Sequence, residues 1–89
     1  MEMQSSNKEA YESLANAIVL QAVSDYRAAL KRVKEHPHNS GAISDAKSIE
    51  KFFRSGWYEA LTTVDGEYLI EKLRDEAGIT DTDMEAKRK

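Results

Sequence analysis

The sequence predicts an all-α protein: a long N-terminal helix and two to three shorter helices, forming a small helical bundle that associates with further copies of itself. Three observations support this fold. Apolar residues recur every three or four positions over the first third of the 89-residue chain, which is the pattern of an amphipathic helix. One Pro and four isolated Gly residues divide the remainder. The segments between them open with side chains that cap helix N-termini.

The first helix is expected to begin near Ser6, because Ser6 and Glu9 form a capping-box pattern. Its apolar stripe consists of Tyr11, Leu14, Ala15, Ile18, Ala22, Val23, Tyr26, Ala29, Leu30 and Val33. The stripe meets no breaker until His36-Pro37, where the proline disfavours helix in the residue before it. The predicted helix is therefore roughly 28 residues and about 40 Å long.

This helix exposes more apolar surface than so short a chain can cover. Leu20 falls on the far side of the helical wheel from the line through Ile18 and Ala22, so the helix is apolar on more than one side. A helix of this kind requires a second partner surface. We therefore expect a homo-oligomer whose interface contains Ile18, Leu20 and Val23.

A second helix is expected over residues 42–54, after an N-cap at Asn39 or Ser40. Its inward residues are expected to be Ile43, Ala46, Ile49, Phe52 and Phe53. Gly56 is unfavourable inside a helix by about 1 kcal/mol relative to Ala, so the second helix should end or kink there.

Two short helices should follow. Ser55 is the expected cap of a third helix over residues 57–62, and Asp65 that of a fourth over residues 66–77. Gly78 is a natural C-terminal stop. In the fourth helix the predicted buried line is Leu69, Leu73 and Ala77, and the predicted solvated face is Glu71, Lys72, Arg74, Asp75 and Glu76.

These boundaries predict a single helical domain over residues 7–78. Residues 1–6 are expected to be disordered, and residues 79–89 to form a polar, frayed tail.

Composition excludes several classes of function. The chain has no Cys and a formal net charge of −3, which argues against thiolate sites and against direct nucleic-acid binding. No signal peptide and no apolar run of membrane-spanning length is visible, and the lack of Cys fits the cytoplasm. His36 and His38 are too few for a structural metal site. With no catalytic constellation and no phosphate loop, we expect neither an enzyme nor a cofactor.

Aromatic residues concentrate between positions 52 and 68, and this segment is the best candidate for a binding site. Its polar-tipped and cationic side chains can contact an anion and stack on a flat ring. The candidate ligand- or partner-binding residues are Lys51, Arg54, Trp57, Tyr58 and Tyr68, with Arg27 and Lys31 from the first helix. The alternative interpretation is a core of Phe53, Trp57, Leu61, Val64, Leu69 and Leu73.

Two stretches, AIVLQAVSDYRAAL and SIEKFFRSGWYEALTTVDGEYLIEKLRDEA, resemble a group of small helical proteins encoded by prophages, plasmids and integrative elements of Gram-positive bacteria. The resemblance covers about residues 10–77. Its recurring residues are Asp25-Tyr26-Arg27, Phe52-Phe53-Arg54-Ser55, Trp57 and Asp65-Gly66-Glu67-Tyr68-Leu69. It implies a mobile-element setting, in which small proteins often counter host defences, and it carries no activity with it.

Three functions remain open. The first is a non-enzymatic counter-defence protein that binds a nucleotide-like anion or a host protein. The second is an assembly protein in which the aromatics are structural. The third is an acidic nucleic-acid mimic, of the anti-CRISPR type, whose 65–77 segment occupies a positive groove on a defence nuclease.

Overall fold

Four helices account for most of the chain. The computed structural model describes the backbone of residues 2–85 and the side chains of residues 8–85. The helices are α1 (Glu2–Glu35), α2 (Ser40–Phe53), α3 (Gly56–Leu61) and α4 (Gly66–Ala77). No strand occurs within residues 2–85. The predicted all-α fold with a long first helix is therefore confirmed.

Helix α1 is longer than the sequence pattern predicted. It begins at Glu2 rather than near Ser6 and spans 34 residues, which corresponds to about 51 Å. The capping-box prediction is therefore wrong about the start of the helix. The helix ends as expected, before Pro37, where His36 N–H donates to the Arg32 carbonyl at 2.8 Å. The expected disorder of residues 1–6 stays a prediction, because Met1 and the side chains of residues 2–7 lie outside the described part of the chain.

The predicted caps of the three shorter helices are confirmed. Asn39 Oδ1 accepts a hydrogen bond from the Ala42 N–H at 3.0 Å, and Ser55 Oγ accepts one from the Tyr58 N–H at 3.1 Å. Asp65 Oδ1 accepts from the Glu67 N–H at 3.2 Å. Each bond satisfies an N–H that has no partner within its own helix.

The core forms where the C-terminal half of α1 packs against α2 and α4. Its largest fully buried side chains are Tyr26, Tyr58, Phe53, Leu30, Ile70, Leu73 and Val33. The predicted buried line of α4 is therefore partly wrong: Ile70 and Leu73 are buried, whereas Leu69 and Ala77 pack at the margin of the core. Trp57 and Val64, which belonged to the core interpretation, are exposed.

The chain folds back onto the core after α4. Gly78 takes a left-handed backbone conformation, with φ of 72°, and ends the helix. Ile79 and Met84 are then buried. The prediction of a frayed tail is wrong for residues 79–85, and its last four residues lie outside the described part of the chain.

Helix α1 extends beyond the elements that pack on it. The chain measures 62 Å in its longest dimension and only 19 and 17 Å in the other two. All of residues 8–14 are exposed, and we call this segment the overhang. Within residues 2–85, no helix is both long enough and apolar enough to cross a membrane.

Candidate binding surface

The aromatic segment is mainly part of the core. The Phe53 ring meets the Tyr26 and Tyr58 rings edge-on, with centroids 5.6 Å apart in both pairs. Phe52 meets the Tyr58 ring at 5.7 Å and the Trp57 ring at 6.2 Å, also edge-on. Edge-to-face contacts of this kind stabilise a folded core. Four of the five rings in this cluster are therefore largely enclosed by protein.

Trp57 and Tyr68 are the two aromatic candidates that remain accessible. Their side chains are 65% and 57% exposed, and the candidate cation Lys51 is exposed as well. Within residues 8–85, no ring contact or hydrogen bond links Arg54, Trp57 and Tyr68. No direct contact therefore joins these three candidate residues, and the predicted binding site stays a prediction.

Arg54 is occupied by two carboxylates. Its Nε and Nη2 atoms donate to the two Glu67 carboxylate oxygens, both at 2.9 Å, and its Nη1 lies 3.6 Å from Glu50 Oε1. The bidentate hydrogen bonds raise the pKa of Arg54 and lower the pKa of Glu67. Glu67 therefore occupies the Nε and Nη2 edge of this guanidinium, which an incoming anion would otherwise use for bidentate hydrogen bonds.

Arg27 and Lys31 do lie together. They line a groove of about 340 Å³ between α1 and α4, with Lys34 as a third cation and Leu73 on the floor. Each cation already has a partner in the chain. Arg27 pairs with Glu76 at 3.2 Å, Lys31 lies 3.9 Å from Glu35, and Lys34 Nζ donates to the Gly78 carbonyl at 2.9 Å.

A larger groove, of about 490 Å³, runs between α1 and α2. We call it the α1–α2 groove; its lining residues are Ala17, Ile18, Gln21, Ala22 and Asp25 from α1, and Ser48, Ile49 and Phe52 from α2. Ile18 is the one predicted interface residue in it. Val23 packs half-buried against the core, and Leu20 is 67% exposed. The apolar surface of the overhang, Tyr11 and Leu14, continues directly into this groove through Ile18.

A buried polar network was not predicted. Glu50 is buried, and its Oε2 accepts hydrogen bonds from the Tyr26 hydroxyl and from Arg74, whose Nη2 lies 2.8 Å away. Arg74 also donates from Nη1 to Asp81 Oδ1 at 2.8 Å. Arg74 is 17% exposed, so its predicted place on the solvated face of α4 is wrong. The network joins α1, α2 and α4 to the C-terminal segment.

The position of Glu50 could have been recognised from spacing. Ile43, Ala46, Glu50 and Phe53 follow one another at intervals of three, four and three, so Glu50 belongs to the buried stripe of α2. A buried carboxylate requires hydrogen-bond donors or a cation. The sequence carries no comparable signal that Arg74, 24 residues later, supplies the charge.

The pKa directions follow from this environment. Burial, followed by the hydrogen bond to Glu50, raises the pKa of the Tyr26 hydroxyl above its ordinary value. Burial acts to lower the pKa of Arg74, but its hydrogen bonds and charge interaction with Glu50 raise it overall. The network therefore holds a neutral Tyr26 and a charged Arg74.

Comparison of the chain with protein-family models gave no match, and comparisons with curated proteins and with solved structures gave no match either. Among the described side chains of residues 8–85, no group of three or more His, Cys, Asp or Glu is placed to hold a metal ion. The arrangement can bury an apolar segment in the α1–α2 groove or attract an anion to the α1–α4 groove.

Proposed function

We propose that this protein is a small non-enzymatic binding protein, encoded by a phage or other mobile element, that holds another polypeptide along the α1–α2 groove in the bacterial cytoplasm. The observation that carries the proposal is the continuous apolar surface from Tyr11 and Leu14 on the overhang to Ile18 and Phe52 in the groove. Contiguous exposed apolar surface of this kind marks interaction sites.

The shape of the groove favours a helical segment as its occupant. Both of its walls are helices, with Ile18 and Ala22 on one and Ile49 and Phe52 on the other. An amphipathic helix binds such a groove through residues spaced three and four apart. The polar groups at the rim, Gln21 and Ser48, can contact the sides of such a helix.

The contacts of Arg54 argue against a nucleotide bound at the aromatic segment, and they therefore favour a polypeptide as the partner. Its guanidinium is held on one side by Glu67 and approached by Glu50 on the other, so its charge is largely balanced within the chain. Tyr58 is buried and cannot stack on a ligand. A polypeptide partner also fits the mobile-element setting.

Pairing within the chain also weakens the case for an acidic nucleic-acid mimic. Glu67 and Glu76 of the acidic segment form ion pairs with Arg54 and Arg27. A mimic needs a field of unbalanced negative charge to occupy a positive groove.

An anionic ligand in the α1–α4 groove is the second candidate, because Arg27, Lys31 and Lys34 converge there. Titration with ATP as the probe tests it. We expect Arg27→Ala and Lys31→Ala to weaken binding and Lys47→Ala, on the exposed face of α2, to leave it unchanged. Equal affinities for all three variants would contradict this candidate.

Site-specific photocrosslinking tests the main proposal. A photoreactive amino acid at Ser48, on the rim of the α1–α2 groove, should give a covalent adduct with a polypeptide in cells of the bacterium that carries the gene. The same amino acid at Lys47, the neighbouring exposed position that does not line this groove, is the matched control and should give little. Adding Ile18→Glu should abolish the Ser48 adduct. No adduct from Ser48, or equal adducts from both positions, would contradict the proposal.

A further inference from the structure

We infer that the polypeptide held in the α1–α2 groove is a second copy of this chain, whose α1 lies antiparallel to the first while its own groove receives the first overhang. This inference rests on the proposed function and names its partner. The steps that lead to it are the spacing of the exposed residues on α1, the position of the overhang beside the groove, and the charges at the two ends of this surface.

The exposed line on α1 has the spacing of a helix–helix seam. Tyr11, Leu14, Ile18, Gln21 and Asp25 follow one another at intervals of three, four, three and four. Residues at these intervals share one face of a helix and pack against a second helix. The first two lie on the overhang, and the last three line the groove.

A two-fold axis near Asn16 makes this surface complementary to itself. In an antiparallel pair centred there, Leu14 of one copy lies opposite Ile18 of the other, and Tyr11 lies opposite Gln21. Each overhang then covers the Ile49 and Phe52 wall of the other copy's groove. One interface of this isologous type covers both overhangs and both grooves at once and closes the assembly as a dimer.

The charges support the antiparallel direction. Lys8 is exposed on the overhang, three residues before Tyr11. Asp25 lies at the opposite end of the seam, where its carboxylate accepts a hydrogen bond from the Gln21 side chain at 2.9 Å. Antiparallel packing places Lys8 of each copy within one residue of the level of Asp25 of the other. A parallel pair would instead place each lysine beside the other lysine.

Leu20 provides a matched control for this surface. Leu14 and Leu20 are 59% and 67% exposed on the same helix. They are six residues apart, which places them about 120° apart around the helix axis. The inferred dimer buries Leu14 and leaves Leu20 in solvent, although the sequence pattern predicted Leu20, and not Leu14, as an interface residue.

Sedimentation equilibrium of the purified full chain and two variants tests the inference. We expect the wild type and Leu20→Glu to be dimers and Leu14→Glu to be a monomer with an unchanged helical circular dichroism spectrum. Neither leucine is part of the core, so both variants should fold. A monomeric wild type would overturn the inference, as would dissociation by Leu20→Glu with a dimeric Leu14→Glu.

A charge exchange tests the direction of packing. Lys8→Asp and Asp25→Lys should each raise the dimer dissociation constant by about tenfold, because each change places like charges together twice per dimer. The double variant should return the constant close to that of the wild type. Failure of the double variant to recover would contradict the antiparallel arrangement.

The crosslink at Ser48 separates this inference from the proposed function. An adduct of twice the chain mass supports both. A monomeric wild type that forms an adduct with a different polypeptide would overturn the second copy and leave the binding function in place. The absence of any adduct, with a dimer that Leu14→Glu does not disrupt, would overturn both.

Discussion

The Arg74 guanidinium donates to the buried carboxylate of Glu50, with 2.8 Å between Nη2 and Oε2. This contact joins α4 to α2, and the Tyr26 hydroxyl brings α1 to the same oxygen. A charge in the core is favourable only while its partners are present, because an unpaired buried ion has lost its hydration without compensation. The stability of the bundle should therefore depend on each member of this network.

Replacing Glu50 should destabilise the fold strongly. We expect Glu50→Gln to lower the free energy of unfolding by about 3 kcal/mol, because it leaves Arg74 largely buried with only the exposed Asp81 as a counter-charge. Asp45→Asn is the control: it breaks the Arg32–Asp45 pair, which has the same 2.8 Å separation but is exposed, and should change stability by less than about 1 kcal/mol. Urea unfolding of both variants measures this difference. Similar small losses in the two variants would show that the buried pair contributes no more than a surface pair.

The two buried tyrosines should respond differently to loss of the hydroxyl. Tyr26→Phe removes a donor to the Glu50 carboxylate and should cost about 2 kcal/mol, since hydrogen bonds to charged groups are the stronger ones. The Tyr58 hydroxyl is buried and has no hydrogen-bond partner among residues 8–85. Tyr58→Phe should therefore be neutral or stabilising.

Thermal and urea unfolding of the two tyrosine variants give the comparison directly. Because the same atom is removed from two buried rings, the difference in apolar burial between the variants is small. A larger loss in Tyr58→Phe than in Tyr26→Phe would contradict the hydrogen-bonding assignment.

The caps and stripes could be predicted because they depend on neighbouring residues. Asn39, Ser55 and Asp65 each bond an N–H two or three positions later. The stripe of α1 and most of that of α2 likewise follow from helical spacing alone. These local rules were sufficient for the fold class and for the order of the helices.

The site could not be predicted because it depends on contacts between distant residues. Arg54 was a candidate cation, and nothing near it in sequence indicated that Glu67 would bind it. Trp57 and Tyr58 are adjacent and equally suited to core or surface. The break at Ser55-Gly56 sets the direction of α3, which buries Tyr58 and leaves Trp57 exposed.

High pH should destabilise the protein through Tyr26. Burial and the Glu50 carboxylate raise the pKa of its hydroxyl above the ordinary value of 10.0, so the folded state holds this proton more tightly than the unfolded state. The contribution of the Tyr26 hydroxyl to the free energy of unfolding is complete below pH 10. It is lost as the pH rises from there towards the pKa of Tyr26 in the folded state. This loss is about 1.4 kcal/mol per pH unit for one proton.

Urea unfolding at intervals above pH 10 measures this dependence. In Tyr26→Phe, the free energy of unfolding should fall less steeply with pH than in the wild type, and the difference in slope should correspond to one proton. The pKa of Tyr58 is also raised, by burial and by the charge of Asp65, so Tyr58→Phe should also reduce the slope. The assignment to Tyr26 would fail if its variant kept the full slope.

The close packing of α4 against α2 should depend on Gly66, where the space is too small for a side chain although the backbone does not require glycine. A Cβ added at Gly66 would lie 2.0 Å from the Phe53 carbonyl oxygen, and backbone atoms cannot move aside as a flexible side chain can. We expect Gly66→Ala to lower the unfolding free energy by about 3 kcal/mol, because α4 must shift away from α2. Gly56→Ala is the matched control, since a Cβ there meets nothing within 4 Å. Because the substitution restricts the unfolded chain, it should stabilise the protein by up to about 1 kcal/mol. The midpoint temperature of thermal unfolding should therefore fall for Gly66→Ala and rise for Gly56→Ala. An unchanged midpoint in Gly66→Ala would show that α2 and α4 do not approach so closely.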